Sequence, residues 1–553
     1  MLLFATPPST TLLYHLLLLV NNFAYSSSSM ELKHVVYMSR HGVRSPYPPE
    51  FGYEAYSNKP FPTAADWGMT DYDYNHQYLT AHGKKLVPLI GSYFRQLYQS
   101  SALFSNEKPH ECPTTLQVYA DDSIRDVQTA RLFLEGFLPE CHVEVAVANG
   151  SQALMEPVLS DHFNTSCPLA TYEEMNGTFG GNFPALSGLY TPQIKLVSDI
   201  LQTDKVAWNE SVCSKAGLAQ TYEGENCTLD KLPFQYNGVY YQGMALSPLY
   251  YASQFAETWF FQYLSGLENW GFNQISYLEL AALYRMHIQV MAFGSNYYNS
   301  LKYASQTLGF ILAVMEQVVT NTKIQGVPEA ADDKAFTLLF NHDTNALYLK
   351  QLLDLDWLVE TFALNSASTA GALVFELYKD DKGDYYVSLY YAAATPEQQR
   401  YNQTLTLENP PSKSHMIIRP CSNQLCPYSE FKRIVLDVIE FRCMEEPLRE
   451  SLVQMYQSLQ HADDDGNENC DNVVKSWRIS LIVTATIVGL LIFGGIAFLL
   501  GRYILGQMQG REGSSDYRQA ALNSVDEGAV VDKSMTTNMH FCTHSLTTHF
   551  SNV

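Results

Sequence analysis

The sequence has little charge, and most of that charge is negative. Only 16% of its 553 residues are charged, and 34 basic residues stand against 57 acidic ones, a net charge of −23. Nucleic acid or an anionic lipid surface would need a basic face, so this composition argues against both as bulk partners. A small anionic substrate remains compatible, because a few arginines create a local positive field even in an acidic protein.

Paired cysteine and histidine spacings of the zinc-binding type are missing, although the chain has 10 cysteines. Eight of these lie between Cys112 and Cys443, and Cys470 and Cys542 follow them. An even set in an oxidising compartment favours disulfides over a metal site. We therefore expect disulfides, no metal and no cofactor, while the cysteine count alone leaves the pairing open.

Two apolar runs lie near the ends of the chain. The first, Leu12 to Val20, is too short to cross a bilayer and predicts a signal peptide over residues 1–25. An uncleaved leader with Met30 as an internal start is the alternative. The second, Ile479 to Leu500, is uncharged and long enough for a membrane helix. Together they predict a single-pass type I membrane protein, with its large domain in the endosomal or lysosomal lumen or at the cell surface.

The sequons support this topology, because all of them precede the membrane helix. The glycosylation candidates are Asn149, Asn164, Asn176, Asn209, Asn226 and Asn402. An acidic stalk is predicted over 461–478, and a disordered cytosolic tail over 501–553.

Strand and helix patterns alternate in two separated parts of the chain. The predicted strands are Leu32–Met38, Leu116–Ala120, Phe336–Phe340, Ala372–Tyr378, Tyr385–Tyr391 and His415–Ile418. Helices are predicted from Leu79 onward and at Arg125–Gly136, Tyr250–Leu264 and Leu278–Val319. These patterns predict an α/β fold with an open mixed sheet flanked by helices, built from residues 30–156 and 328–460. A mainly helical insertion is expected over 157–327.

Two polar clusters each follow a predicted strand directly. They are Arg40-His41-Gly42 and His342-Asp343. Open α/β sheets bind ligands beyond the carboxyl ends of their strands, so we expect the two clusters to meet.

The first cluster, Arg-His-Gly-x-Arg-x-Pro, has the chemistry of a phosphate site. Arginines offer planar paired donors to a phosphate, and a neutral imidazole beside them can attack phosphorus. Nearby positive charge disfavours imidazolium, which keeps His41 nucleophilic in mildly acidic medium. Gly42 would let the backbone pass close to the phosphate. A chance match has odds on the order of 10⁻⁴.

This motif resembles the signature of the histidine acid phosphatases, within the branched histidine phosphatase superfamily. The resemblance continues in ADDSIRDVQTARLFLEGFLPEC and in FTLLFNHDTNALYL, and it covers roughly Leu32 to Cys443. Thr344-Asn345, after the His-Asp pair, is the form typical of the periplasmic phytase and glucose-1-phosphatase branch.

The resemblance implies a role for each site residue. His41 is the nucleophile that becomes phosphorylated, and Asp343 is the general acid that protonates the leaving oxygen. The implied phosphate-binding residues are Arg40, Arg44, Arg125 and His342. The disulfides implied in the same way are Cys112–Cys141, Cys167–Cys443, Cys213–Cys227 and Cys421–Cys426.

The function predicted from these residues is a membrane-anchored acid phosphatase acting on small phosphate monoesters. A phytase or inositol-polyphosphate phosphatase is the alternative enzyme, although Tyr47-Pro48-Pro49-Glu50 lacks the lysine that bacterial phytases carry there. An inactive receptor or adhesion ectodomain is the alternative of another class. His287 is predicted to be a pocket wall or a packed side chain, and Arg131 a solvated helix charge.

Overall fold

The structure is a computed structural model that describes most of the region before the predicted stalk. The described residues are 30–46, 56–101, 103–104, 116–148, 167, 176–177, 182–205, 228–234, 247–327 and 335–461. The predicted signal peptide, membrane helix and tail lie outside them. Within the described ranges, no helix is long and apolar enough to cross a membrane.

An eight-stranded mixed sheet forms the centre of the fold. Its strands are β1 (Glu31–Arg40), β2 (Leu116–Ala120), β3 (Ala146–Val147), β4 (Ala335–Asn341), β5 (Ala372–Lys379), β6 (Tyr385–Ala393), β7 (Ser412–Met416) and β8 (Cys426–Pro427). The order across the sheet is β3-β2-β4-β1-β5-β6-β7, and β8 pairs with β6. β1 runs parallel to β4 and antiparallel to β5, so the sheet changes direction beside its central strand.

Helices surround this sheet. They are α1 (Asp71–Asn75), α2 (Ala81–Tyr98), α3 (Ile124–Phe137), α4 (Phe183–Leu189), α5 (Thr191–Leu201), α6 (Pro248–Leu264), α7 (Tyr277–Gly294), α8 (Tyr297–Thr320), α9 (Asp343–Leu353), α10 (Pro396–Arg400) and α11 (Tyr428–Val438). A further helix covers residues 448–461. Between residues 148 and 334, every element of regular secondary structure in the described segments is a helix.

Both faces of β1 are buried, which explains its nearly continuous apolar sequence. Val35 and Tyr37 point to one face and join the core cluster formed with α2 and α3. Val36 and Met38 point to the other face and are equally buried. Helices α8 and α9 also contact β1. The mixed α/β sheet flanked by helices is therefore confirmed.

Two glycines bring α2 and α3 unusually close. A Cβ at Gly91 would lie 2.2 Å from the carbonyl oxygen of Phe133, and one at Gly136 would lie 1.9 Å from that of Pro88. Since these are backbone atoms, neither helix can yield locally. The two glycines thus fix the layer that covers the first face of the sheet.

The parallel strands set the place of the functional site. Arg40 at the end of β1 pairs with Asn341 at the end of β4, and Ala120 at the end of β2 pairs with Phe340. Three carboxyl ends therefore meet at one edge of the sheet. The residues that leave this edge are the two polar clusters predicted from the sequence, joined by Asp121 from β2.

Two predicted elements differ from the structure. The helix expected over Leu278–Val319 is two helices, α7 and α8, because the Asn296 side chain accepts a hydrogen bond from the Asn299 backbone and starts a new helix. The strand expected at His415–Ile418 is β7, Ser412–Met416, which lies further toward the amino end. The domain boundaries stay predictions.

Two of the four disulfides implied by resemblance are present, Cys167–Cys443 and Cys421–Cys426. Cys141 is disulfide-bonded as well. Its expected partner Cys112 lies outside the described residues, and so do Cys213 and Cys227.

The glycosylation sites stay predictions, and four of them fall outside the described residues. Asn176 and Asn402 lie within them. The Asn402 side chain is partly buried, and its Nδ2 lies 3.1 Å from Nδ1 of His82. A glycan on Asn402 would require this amide to turn outward.

Candidate active site

The imidazole of His41 is buried and held in one orientation. Its backbone N–H donates to the Asn341 carbonyl at 2.9 Å, and its own carbonyl accepts from the Ala370 N–H at 2.9 Å. On the ring, Nδ1 lies 2.8 Å from the carbonyl oxygen of Gly42. Only a protonated Nδ1 can donate there, so Nε2 carries the free lone pair.

His41 is kept neutral by its surroundings. Burial lowers the pKa of this imidazole well below its usual value, and the positive charges of Arg125, Arg40 and Arg44 lower it further. A neutral, oriented imidazole in a cluster of cations is suited to attack an electrophile that carries negative charge.

Two of these cations, Arg40 and Arg44, share one buried carboxylate. Nη2 of Arg40 lies 2.8 Å from Oε1 of Glu257, and Nη2 of Arg44 lies 3.2 Å from Oε2 of the same residue. The ring of Phe261, one turn further along α6, lies 5.7 Å from the Arg40 guanidinium carbon and 5.2 Å from that of Arg44. We call Arg40, Arg44 and Arg125 the arginine clamp.

Glu257 remains ionised despite its burial. Burial alone would raise its pKa, but Arg44, His287 and Arg40 overcome this and hold the pKa well below its usual value. Nε2 of His287 lies 3.4 Å from Oε1 of Glu257, and Nδ1 of His287 lies 3.0 Å from the Ser253 hydroxyl. His287 is thus a buried, packed residue beside Glu257, as predicted.

Arg125 approaches from α3 on the other side. Its Nη1 donates to Oε1 of Gln77 at 3.3 Å, and its Nη2 lies 3.4 Å from Nδ1 of His342. Nε2 of His342 in turn lies 2.8 Å from Oδ2 of Asp121. Since Nε2 donates to this carboxylate, Nδ1 is free to accept from Arg125.

Asp343 opens helix α9, directly after His342. Its Oδ1 accepts from the Thr344 backbone N–H at 2.9 Å, and its Oδ2 lies 3.0 Å from Nη2 of Arg40. The positive end of the helix dipole and Arg40 both favour negative charge at this position. The ring centroids of His41 and His342 are 5.7 Å apart, so the imidazole of His41 lies close to the residue that precedes Asp343.

Every site residue predicted from the sequence lies in this one cluster. Both histidines, all three arginines and Asp343 come from β1, α3 and the start of α9. The Nε atoms of the three arginines are buried and have no hydrogen-bond partner in the described part of the chain. Unpaired buried donors are costly, so these three Nε–H groups add to the cost of burying the arginines.

The whole-chain comparisons identify the family. The model of the histidine phosphatase superfamily, branch 2, matches residues 31–392, more than half of the chain. The chain belongs to this superfamily. The match begins with β1 and ends in β6, so it contains all of the clustered residues.

Curated relatives of the chain are phosphatases. It is 22% identical over 452 residues to a glucose-1-phosphatase of Providencia rettgeri, covering 75% of this chain and 94% of that protein. It is 23% identical over 430 residues to the phytase AppA of Escherichia coli (strain K12), covering 75% and 93%.

Solved phytase structures share the fold. The Hafnia alvei phytase in complex with tartrate matches with a TM-score of 0.60 and 22% identity, covering 75% of this chain and 99% of that one. The Citrobacter braakii phytase matches with a TM-score of 0.60 and 21% identity, covering 76% and 100%.

Three carboxylates at the site were not predicted from the sequence. They are Asp121, Asp126 and Glu257. Asp121 directly follows β2 just as His41 directly follows β1, so its position at a strand end could have identified it. Glu257 lies inside α6, and the aromatic residues of this helix indicate only a buried core. Glu257 lies 217 residues from Arg40 in the sequence.

The role predicted for Gly42, close approach of the backbone to a phosphate, stays a prediction. A Cβ there would lie 2.8 Å from Cγ2 of Val87, so the glycine also allows close packing on α2. Arg131 is exposed, as predicted.

Two buried groups could in principle hold a metal. They are Asp121, Asp126 and His342, and Glu257, His287 and Asp343. Each group already has a guanidinium beside it, since Arg125 Nε lies 3.8 Å from Asp126 and Arg40 Nη2 contacts both Glu257 and Asp343. These cations oppose binding of a second positive charge, so the cluster suits an anion better.

Asp126 gives a testable pH dependence of stability. Burial raises its pKa from 3.8 to about 7, although His342 and Arg125 lie close. The folded state holds this proton more tightly than the unfolded chain, so stability falls as pH rises between these two values. We expect Asp126→Asn to become more stable than wild type by about 2–4 kcal/mol over this interval. Urea unfolding at several pH values measures this, and Asp381→Asn, in an exposed turn, is the control. A constant difference at all pH values would contradict it.

Proposed function

We propose that the chain hydrolyses phosphate monoesters in two steps through a phosphohistidine intermediate on His41. The observation that carries this proposal is the meeting of Arg40-His41 and His342-Asp343 at one sheet edge. Family membership supports it, and so does the neutral imidazole among three guanidinium groups. A receptor without activity would need neither an oriented nucleophile nor a carboxyl group beside it.

In the first step, Nε2 of His41 attacks phosphorus while the ester P–O bond breaks. The arginine clamp binds the non-bridging oxygens and stabilises their charge in the transition state. His342 can donate to one of these oxygens only when its Nδ1 carries a proton instead of accepting from Arg125. Asp343 in its protonated form gives its proton to the leaving oxygen, which departs as an alcohol. The Gly42 carbonyl holds Nδ1–H and stabilises the positive charge that develops on the imidazole.

In the second step, water attacks the phosphorus of the phosphohistidine and the P–N bond breaks. The Asp343 carboxylate now accepts a proton from this water, so the group returns to its starting form. Inorganic phosphate leaves and the imidazole is again neutral.

Acidic medium suits this sequence of steps. The nucleophile must be neutral and the acid must be protonated, and these demands usually conflict at low pH. Here burial and the clamp lower the pKa of His41 well below its usual value, so this imidazole stays neutral further into the acidic range than an exposed histidine does. This is the physical basis for proposing an acid phosphatase.

The substrate is proposed to be a small phosphate monoester, and an inositol polyphosphate is the second candidate. The relatives named above include a phytase and a glucose-1-phosphatase, so their names support both classes equally. The segment after the motif, residues 47–55, lies outside the described residues. Comparing kcat/KM for phytate and for an aryl phosphate decides between them, and a strong preference for phytate would exclude a broad phosphatase.

The location is likewise a proposal. The uncharged run 479–500 and the sequons before it support a type I anchor with the catalytic domain in the lumen or outside the cell. Removing residues 479–553 should release the protein from membranes, and a truncated chain that still sediments with them would exclude this anchor.

Loss of the nucleophile should abolish turnover. We expect His41→Ala to lower kcat by at least about a thousandfold, because no phosphohistidine can form. His415→Ala, at an exposed histidine of β7, is the matched control. Labelled phosphate should be trapped on wild type after a rapid alkaline quench and not on His41→Ala. Equal activity of wild type and His41→Ala would favour the receptor function.

Loss of the general acid should depend on the leaving group. We expect Asp343→Asn to slow alkyl phosphates about 10²-fold more than aryl phosphates, since a phenolate leaves without a proton. Asp354→Asn is the control, because Asp354 lies at the other end of α9 and pairs with Arg419 on the surface. Equal slowing of both ester classes would remove Asp343 from this role.

A further inference from the structure

Glu257 poses a problem for an anion-binding site. It is 5% exposed, ionised, and in contact with two of the three arginines that are proposed to bind phosphate. A buried negative charge there repels an incoming phosphate and uses donors that phosphate would otherwise receive. Its presence therefore needs a reason other than substrate binding.

Holding the arginines in place is an incomplete reason. Without Glu257, Nη1 of Arg40 would still donate to the Ala367 carbonyl at 2.9 Å, and its Nη2 would still contact Asp343 at 3.0 Å. Nη1 of Arg44 would still donate to the Ser45 carbonyl at 2.8 Å. These contacts leave both guanidinium groups anchored after a substitution that keeps the shape of Glu257.

The charge of Glu257 is the property that no neighbour replaces. The carboxylate is held at its place by Arg40, Arg44 and His287, and His287 is itself bonded to the Ser253 hydroxyl at 3.0 Å. Asp343 cannot supply a fixed charge, because it gains and loses a proton in the proposed mechanism. Glu257 is thus the fixed negative charge of the arginine clamp.

We propose that the charge of Glu257 weakens the binding of inorganic phosphate to the arginine clamp and thereby speeds release of the product. This inference rests on the proposed function. Phosphate and the phosphoryl group in transfer differ in how they meet the clamp, since the second is also held by its bond to His41. The repulsion from Glu257 therefore shortens the residence of inorganic phosphate, which only the clamp holds, without releasing the phosphoryl group that is bonded to His41.

The experiment is to measure inorganic phosphate binding to the purified full-length chain by titration calorimetry. The variant Glu257→Gln keeps the volume and removes one charge. We expect it to bind phosphate about tenfold more tightly, as expected for one charge a few ångströms from an anion in a partly screened site. Its kcat should fall as product release slows, and inhibition by added phosphate should strengthen by the same factor.

Two variants control for other causes. Glu268→Gln removes the same charge from an exposed residue paired with Arg400, and it should leave phosphate binding unchanged. Glu257→Asp keeps the charge and shortens the side chain, so it should bind phosphate as wild type does. Should Glu257→Gln fail to fold in thermal melts, Glu257→Asp alone tests the proposal, because tighter phosphate binding by it would overturn the role of charge.

The outcomes separate this inference from the proposed function. Unchanged or weaker phosphate binding by folded Glu257→Gln would overturn the inference, even with activity that depends on His41. Conversely, tighter phosphate binding by Glu257→Gln in a chain that shows no turnover would uphold the effect of Glu257 on anion binding, but it would reject the enzyme and with it the role in product release.

Discussion

The site depends on burying several guanidinium groups around one uncharged imidazole. Removing cations from water costs several kcal/mol each unless anions or hydrogen bonds compensate. Glu257 and Asp343 compensate Arg40, Glu257 also compensates Arg44, and the Gln77 amide and His342 hold Arg125. Among the described residues, no carboxylate pairs with the His41 imidazole. This imbalance favours a neutral His41, which supports its proposed role as the nucleophile.

The sheet makes this imbalance possible. Parallel pairing brings the ends of β1, β4 and β2 to one edge, so backbone hydrogen bonds place His41, His342 and Asp121 before any side chain interacts. The start of α9 adds a helix dipole under Asp343. Close packing of α2 on α3 then fixes Arg125, which lies on α3, relative to the end of β1. Geometry thus comes from the backbone, and the charged side chains only refine it.

Site residues that belong to short contiguous motifs could be predicted from the sequence. Residues that tertiary packing brings to the site from elsewhere in the chain could not. Arg40, His41 and Arg44 form one contiguous motif at the end of a strand, and His342-Asp343 follows a second strand. Because open α/β sheets bind ligands beyond the carboxyl ends of their strands, the two clusters could be predicted to meet. Glu257 sits in a helix with aromatic neighbours, and nothing local distinguishes it from a core residue. Its position opposite the clamp results from tertiary packing. The break between α7 and α8 was missed for the opposite reason, because a strong helical pattern concealed the cap at Asn296.

Charge also links the site to pH in a direction that suits acidic medium. Burial raises the pKa of Asp126 to about 7, so in acid this carboxyl is neutral beneath Arg125 and His342. Glu257 stays ionised there, because its pKa is held well below the usual value. As pH rises through neutrality, Asp126 ionises and adds a negative charge to the cluster, which weakens its attraction for anions. The clamp is therefore most positive in acid, where the lowered pKa of His41 still favours a neutral imidazole.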